Sequence, residues 1–276
     1  MMNDLFERHH IKILGNPEAK ETLLFAHGFG SQQSSWEYIL PAFKQEYRII
    51  LFDLIGSSFL GRDEFDVTLY NSFSDYAKDL TTICNYLNIK RATLIAHSAS
   101  CMIGTLVALK NPDFFKRLVF IGASPRYLND TNYVGGFTEQ EVLQMLSVMA
   151  KNYSDWIQHF SVSAIDDPSQ PLLSEEFAQC LLKLSPDIAL IVFKMIISSD
   201  YRQEVSQLKL PTLIIQPQND MFVPLEVGLY LNEVIEHSKI AILPTKGHFP
   251  QLTHPYIVAD TIVKYLHKSS TKKMKN

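Results

Sequence analysis

The stretch that decides the fold is Leu94–Gly104, LIAHSASCMIG. It extends the apolar run RATLIAH, residues 91–97, into SASCMIGTLVALKNP, residues 98–112, which has helical character and stops at Pro112. A buried strand that turns sharply into a helix leaves the residue at the turn projecting from the sheet edge, above the positive end of the helix. That residue is Ser98. Such a serine is usually flanked two residues on either side by glycine, which relieves crowding around a strained backbone. Here the flanking residues are Ala96 and Ser100, the next smallest choices, so the turn is expected to be crowded but intact. The competing reading makes Ser98 no more than a helix N-cap.

Outward from this turn, short apolar runs alternate with segments of helical period. The runs are ETLLFAHG, YRIILFD, RATLIAH, KRLVFIG, PTLIIQP and KIAILP, and most are almost uniformly apolar, as strands covered on both faces are. The order predicts an α/β fold, doubly wound, with a mostly parallel sheet. The alternation breaks between residues 125 and 199. Four helical segments fill that interval, at residues 138–152, 153–165, 174–185 and 186–199; Thr138 and Glu141 form a capping pair, and Pro186 sits in a first turn. The expected organisation is a core of residues 1–124 and 200–276 with a four-helix lid, residues 125–199, over the sheet edge where ligands of open α/β sheets bind.

Two further loops complete a chemical pattern. QPQNDMFVP places Asp220 after the fifth run, and PTKGHFPQLTHP places His248 after the sixth. A serine needs a base to take its proton, and the base needs a carboxylate to fix its tautomer. Ser98, Asp220 and His248 fall at three strand-to-helix loops on one edge of the sheet, and the coincidence outweighs reading each as an isolated turn residue. The turn His27-Gly28-Phe29-Gly30 after the first run supplies an amide, at Phe29, that converges with the Ala99 amide as an oxyanion site. An aromatic, nearly uncharged pocket is expected from Tyr127, Phe137, Trp156, Phe160, Phe193 and Ile197 of the lid. His97, Phe222 and Phe249, with the Phe29 ring, close it from the core. That lining suits a small apolar ester or lactone.

Composition excludes several classes. With 276 residues, 46% hydrophobic, 20% charged and a net charge of −4, the chain offers no basic field for nucleic acid. The basic cluster at residues 268–275 reads as a solvated tail. Cys84, Cys101 and Cys180 lack metal-like spacing and read as reduced thiols, and the remaining histidines show no ligand spacing, so no metal is expected. No phosphate loop, signal peptide or membrane-spanning run is present, so no cofactor, no membrane and a cytoplasmic location are expected.

HGFG, ILFD followed by GSS, HS after a strand, SPRYLNDTNYVGGF, DYR and GHFP together resemble the group of α/β hydrolases that contains the bacterial stress-signalling protein RsbQ and the plant karrikin and strigolactone receptors. The similarity runs from Phe6 to Leu266, and SPRYLNDTNYVGGF is its most specific part. The resemblance implies an α/β-hydrolase fold, a lid of four helices over a closed apolar pocket, a slow serine hydrolase and a monomer. By position it assigns Ser98 as nucleophile, Asp220 as orienting acid, His248 as base and the Phe29 and Ala99 amides as oxyanion donors. Ala96, Ser100 and GSS, where the group commonly has a further glycine after Gly56, depart from its pattern. Two readings follow: a carboxylesterase or lactonase, or a small-molecule receptor whose lid reports its ligand to a signalling partner such as a phosphatase.

Overall fold

The computed structural model describes residues 2–57 and 65–271; Ser58 of the GSS stretch and residues 272–275 of the basic tail lie outside the described residues. In chain order the elements begin with α1 (Met2–Arg8), β1 (Lys12–Gly15), β2 (Thr22–Ala26), β3 (Arg48–Phe52), α2 (Phe73–Tyr86), β4 (Ala92–His97), α3 (Ala99–Lys110) and β5 (Phe115–Ile121). Four helices follow: α4 (Glu139–Lys151), α5 (Tyr153–Ile165), α6 (Pro171–Leu182) and α7 (Pro186–Ile197). The chain ends with α8 (Arg202–Val205), β6 (Thr212–Asn219), α9 (Leu225–Val234), β7 (Ser238–Lys246), α10 (Pro250–Thr253) and α11 (Pro255–Thr271).

The seven strands form one sheet in the order β1-β3-β2-β4-β5-β6-β7. All neighbours are parallel except β1 and β3. The sequence pattern had marked six of these strands; β1 is four exposed residues at the sheet edge, too short and too wet to leave an apolar run. Alternate residues of the inner strands feed two cores, as the period of two demands. Leu24, Ala26, Leu94, Ala96 and Phe120 face α2, α3 and α9, while Leu23, Phe25, Ile95 and Val119 face Trp36, Phe43 and α11. Helix α3 is wedged against the sheet and α2 and is buried from Ala99 to Ala108. Its apolar residues therefore run all round it.

Chain order reverses between the adjacent strands β2 and β4, which opens a crevice at their carboxyl ends. The four inserted helices cover that crevice. α5 packs on α6, and α4 packs on α5 and α7. Helix α6 starts at Pro171, earlier than the expected residue 174, because proline is well suited to a first helical position. The chain enters and leaves this insertion through one narrow neck. Arg126 and Asp200 form an antiparallel bridge, and Tyr201 N–H donates to the Pro125 carbonyl at 2.7 Å. Around the neck Arg126 and Arg202 pair with Asp200 at 2.9 and 2.8 Å, Arg202 pairs with Asp130 at 2.9 Å, and the Arg202 guanidinium lies 5.0 Å from the Tyr133 ring centre.

The insertion is also laced to the loop after β7. His248 N–H donates to the Ala164 carbonyl at 2.7 Å, so the end of α5 helps hold this loop. The approach requires Gly247, whose φ is +80° and whose added Cβ would lie 2.1 Å from the Ile165 carbonyl oxygen. Gly247→Ala is expected to lower the unfolding free energy by about 2–4 kcal/mol through combined strain and clash. A urea titration checks this, and an unshifted midpoint would show that the loop is free to move off α5.

Candidate active site

Ser98 occupies the turn between β4 and α3 with φ 54° and ψ −126°, a conformation that side chains rarely adopt. Its backbone is held there because its N–H donates to the Ile121 carbonyl at 2.9 Å while its own carbonyl accepts from Cys101 N–H at 2.9 Å. The hydroxyl makes no capping bond to the helix, so the N-cap reading fails. Instead the Ser98 Oγ–H donates to His248 Nε2 at 2.9 Å, and the His248 Nδ1–H donates to Asp220 Oδ2 at 2.7 Å. A carboxylate can only accept, so the proton of His248 sits on Nδ1 and its Nε2 lone pair faces the serine.

Each of these side chains has its own support. Asp220 directly follows β6, and its Oδ1 accepts the N–H groups of Phe222 and Val223 at 2.9 and 3.2 Å, which leaves Oδ2 for the histidine. Gly122, after β5 with φ +55°, clears the space beside them, since a Cβ there would lie 3.1 Å from His248 Cε1 and 3.5 Å from Asp220 Oδ2. His97 stands behind the site. Its Nε2–H donates to the His248 carbonyl at 2.8 Å, and its ring packs 4.8 Å from that of His248. Full burial, with the neighbouring His248 as the next cause, drives its pKa well below the ordinary value and keeps it neutral.

The turn after β2 is fixed with equal care. The Gly28 carbonyl accepts from His27 Nδ1–H at 2.9 Å and from the Ser31 hydroxyl at 3.2 Å. In a trans peptide the N–H points opposite to the carbonyl, so these donors turn the Phe29 amide away from themselves. Gly28 packs against Ser98 and His97, because a Cβ on it would lie 3.0 Å from Ser98 Cβ and 2.7 Å from His97 Nδ1. Neither Phe29 N–H nor Ala99 N–H makes a backbone hydrogen bond among the described residues. His27 is itself locked, with Nε2 accepting Leu54 N–H at 3.0 Å, and burial lowers its pKa despite the nearby Asp53. Asp53 in turn accepts from Gln33 N–H at 2.8 Å and is bridged to His10 at 2.9 Å.

Ser100 joins the two turns. Its buried hydroxyl donates to the His27 carbonyl, tying the first turn of α3 to the loop after β2. The residue that the sequence presents as crowding is therefore a strut. Its partner position, Ala96, is fully buried in the core. Sequence reasoning left His27, Ser100 and Gly122 without a role. Only the pairing of HG after one strand with a serine two residues past Ser98 hints at the strut.

Beside Ser98 and His248 lies a cavity of about 30 Å3, lined also by Phe29, Tyr127, Phe160, Phe193, Ile196, Ile197, Phe222 and Phe249. The Tyr127 hydroxyl faces Ser98 without a full hydrogen bond, and burial raises its pKa, so it remains a neutral donor. Three residues expected in this lining are not there. His97 is sealed beneath the site by its bond to His248. Trp156 stacks behind Phe160, with ring centres 4.4 Å apart, because residues four apart on α5 share one face and only the nearer ring reaches the chamber. Phe137 and Trp156 border a separate groove between α4 and α5 of about 370 Å3. Ile196, which the sequence did not single out, takes a place in the wall. No cluster of three or more metal-ligating side chains occurs among the described residues. The arrangement offers a hydroxyl bonded to an imidazole nitrogen that can take its proton, and two amides with no backbone hydrogen bond, which is equipment suited to acyl transfer.

Comparisons with known proteins show the family. The profile of the alpha/beta hydrolase fold matches residues 21–190. A karrikin insensitive 2 receptor of Petunia hybrida is 36% identical over 95% of this chain and 96% of its own length. The strigolactone esterase D14 of Arabidopsis thaliana is 35% identical over 96% of this chain and 98% of its own. Among solved structures, a hydrolase from Oleispira antarctica superposes with a TM-score of 0.90 at 29% identity, covering 96% of this chain and 97% of that one. By sequence and by fold, this chain belongs to the alpha/beta hydrolase family, alongside the plant strigolactone esterases and karrikin receptors.

Proposed function

We propose that this protein is a serine hydrolase of carboxylesterase or lactonase type acting on a small apolar ester or lactone. The observation that carries the reading is the unbroken chain from the Ser98 hydroxyl through His248 to Asp220. Ser98 Oγ attacks the acyl carbon as its proton passes to His248 Nε2, and the Phe29 and Ala99 amides hold the resulting oxyanion. His248 returns that proton to the leaving alkoxide as the C–O bond breaks. Water, deprotonated by the same nitrogen, then splits the acyl-enzyme into the acid and free Ser98. Asp220 keeps the proton on Nδ1 throughout and stabilises the imidazolium.

The names of the relatives support a lactone or ester as the ligand, and the helical insertion serves as a lid. Among the described residues Cys84, Cys101 and Cys180 are free, in keeping with a reducing compartment such as the cytoplasm. A second reading, a receptor with little turnover, is favoured by the small chamber beneath the aromatic cap. The two separate in one assay: 4-nitrophenyl acetate should give steady turnover with an enzyme, and one equivalent of nitrophenolate followed by a stall with a receptor that keeps its acyl group.

Ser98→Ala is expected to reduce ester turnover by on the order of a thousandfold or more and to leave the urea midpoint nearly unchanged. Residual turnover close to the parent rate would remove Ser98 from the mechanism. Ser100→Gly should lower kcat about three- to tenfold with little change in KM, since one hydrogen bond bracing the oxyanion loop is lost. A rise in kcat would mean that the hydroxyl only crowds the turn.

The two buried neutral histidines also set an acid limit. The unfolded chain takes up protons on His27 and His97 as pH falls below about 6.5, whereas the folded chain does so only at lower pH. Stability present above that pH is thus lost as pH falls towards the folded-state values. Urea titrations at several pH values should show this slope, and a flatter one in His97→Gln. Identical slopes would locate the acid sensitivity elsewhere.

A further inference from the structure

Two residues, Phe160 and Phe222, appear in the walls of both the chamber at Ser98 and the groove between α4 and α5. Their ring centres are 4.9 Å apart, so the pair forms the partition between about 30 Å3 inside and about 370 Å3 outside. On the reading of Ser98 as nucleophile, we infer that Phe160 and Phe222 are an internal door. By this inference the enzyme takes esters with a short acyl group, about two carbons long, whose larger alcohol part stays in the α4–α5 groove.

The direction of the reaction follows from which ring beside His248 also borders the groove. The proton that frees the leaving group comes from His248 Nε2, and of the two phenylalanine rings beside His248, Phe222 at 5.5 Å and Phe249 at 5.6 Å, Phe222 is the one that also borders the groove. The alcohol therefore departs on the Phe222 side, through the partition and into the groove. The acyl group is left in the inner chamber, which at about 30 Å3 is far smaller than the groove and so admits the smaller part of the ester. The groove suits an apolar alcohol with a polar end: Met145, Val148 and Met221 form its wall, and Glu141, Gln144 and His159 its rim.

The two leaves of the door are held differently. Phe222 is anchored through its N–H, which donates to Asp220 Oδ1 at 2.9 Å, so its backbone is tied to the carboxylate that serves His248. Phe160 is half-buried on α5, with Trp156 stacked on one side and Phe193 edge-on at 5.7 Å. Turning one such ring is a local event, whereas swinging the whole insertion would break the ion pairs of Arg126 and Arg202 at its neck. Phe160, the more exposed of the two rings, is the leaf that moves.

The test is kcat/KM for 4-nitrophenyl acetate, butyrate and octanoate with the parent protein, Phe160→Ala, Phe222→Ala, Gln144→Trp and Ser98→Ala. The parent should favour acetate over octanoate by about tenfold or more, and both alanine variants should raise the octanoate to acetate ratio by about tenfold. Gln144→Trp changes an exposed rim position that folding does not depend on, and should slow every ester severalfold by obstructing the groove. If acetate turnover does not depend on Ser98, the hydrolase reading itself is wrong. If it does depend on Ser98, the door is overturned by a parent that handles octanoate as readily as acetate, or by folded alanine variants with an unchanged ratio. Should the alanine variants fail to fold, parent rates in Gln144→Trp would overturn the route through the groove, and slowed ones would support it.

Discussion

The backbone of Ser98 is the constraint on which the rest of the structure depends. A side chain at φ 54° and ψ −126° is unfavourable in isolation and persists only where its surroundings leave no alternative. Here β4 is fixed between β2 and β5, α3 is wedged against the sheet and α2, and the turn between them is bonded to β5 through the Ile121 carbonyl. The most buried part of the fold thus bears the strain, and the serine hydroxyl is aimed by the scaffold rather than by its own rotamer. Ala96 and Ser100 satisfy the same constraint with methyl and hydroxymethyl groups, and the second also braces the neighbouring loop.

Around that fixed point the loops are not independent. The loop after β2 is oriented by His27 and Ser31, braced by Ser100, and backed by Asp53 from the end of β3. The loop after β6 gives Asp220 one oxygen for its own backbone and one for His248. The loop after β7 is bonded to β4 through His97 and to the inserted helices through Ala164. Burial keeps His27 and His97 uncharged. The inserted helices therefore do more than cover the crevice, since one of them holds the backbone of His248.

Much of this was legible in the chain because the deciding signals are local. Uniformly apolar runs mark strands buried on both faces, and Ser98, Asp220 and His248 each lie within a few residues of the end of such a run. β1 left no signal because it is short and exposed at the edge. The lining of the chamber was less legible for a geometric reason. Aromaticity shows that a ring is apolar but not which side of a wall it takes, so Trp156 and Phe160, one turn apart, read alike while only Phe160 reaches Ser98. The support given by His27, Ser100 and Gly122 depends on contacts between segments far apart in sequence, which no single stretch can display.

The neck of the insertion has a further consequence. Residues 125–126 and 200–201 are hydrogen-bonded neighbours, so the chain leaves the core and returns to it at nearly one point. A segment whose ends already meet adds little loop-closure cost to the folding of its host, whatever its length or content. The sheet can thus reach its own topology without waiting for the helices between β5 and β6. Changes within the insertion that keep its two ends and the Ala164 carbonyl in place therefore leave the strained serine turn under the control of the core.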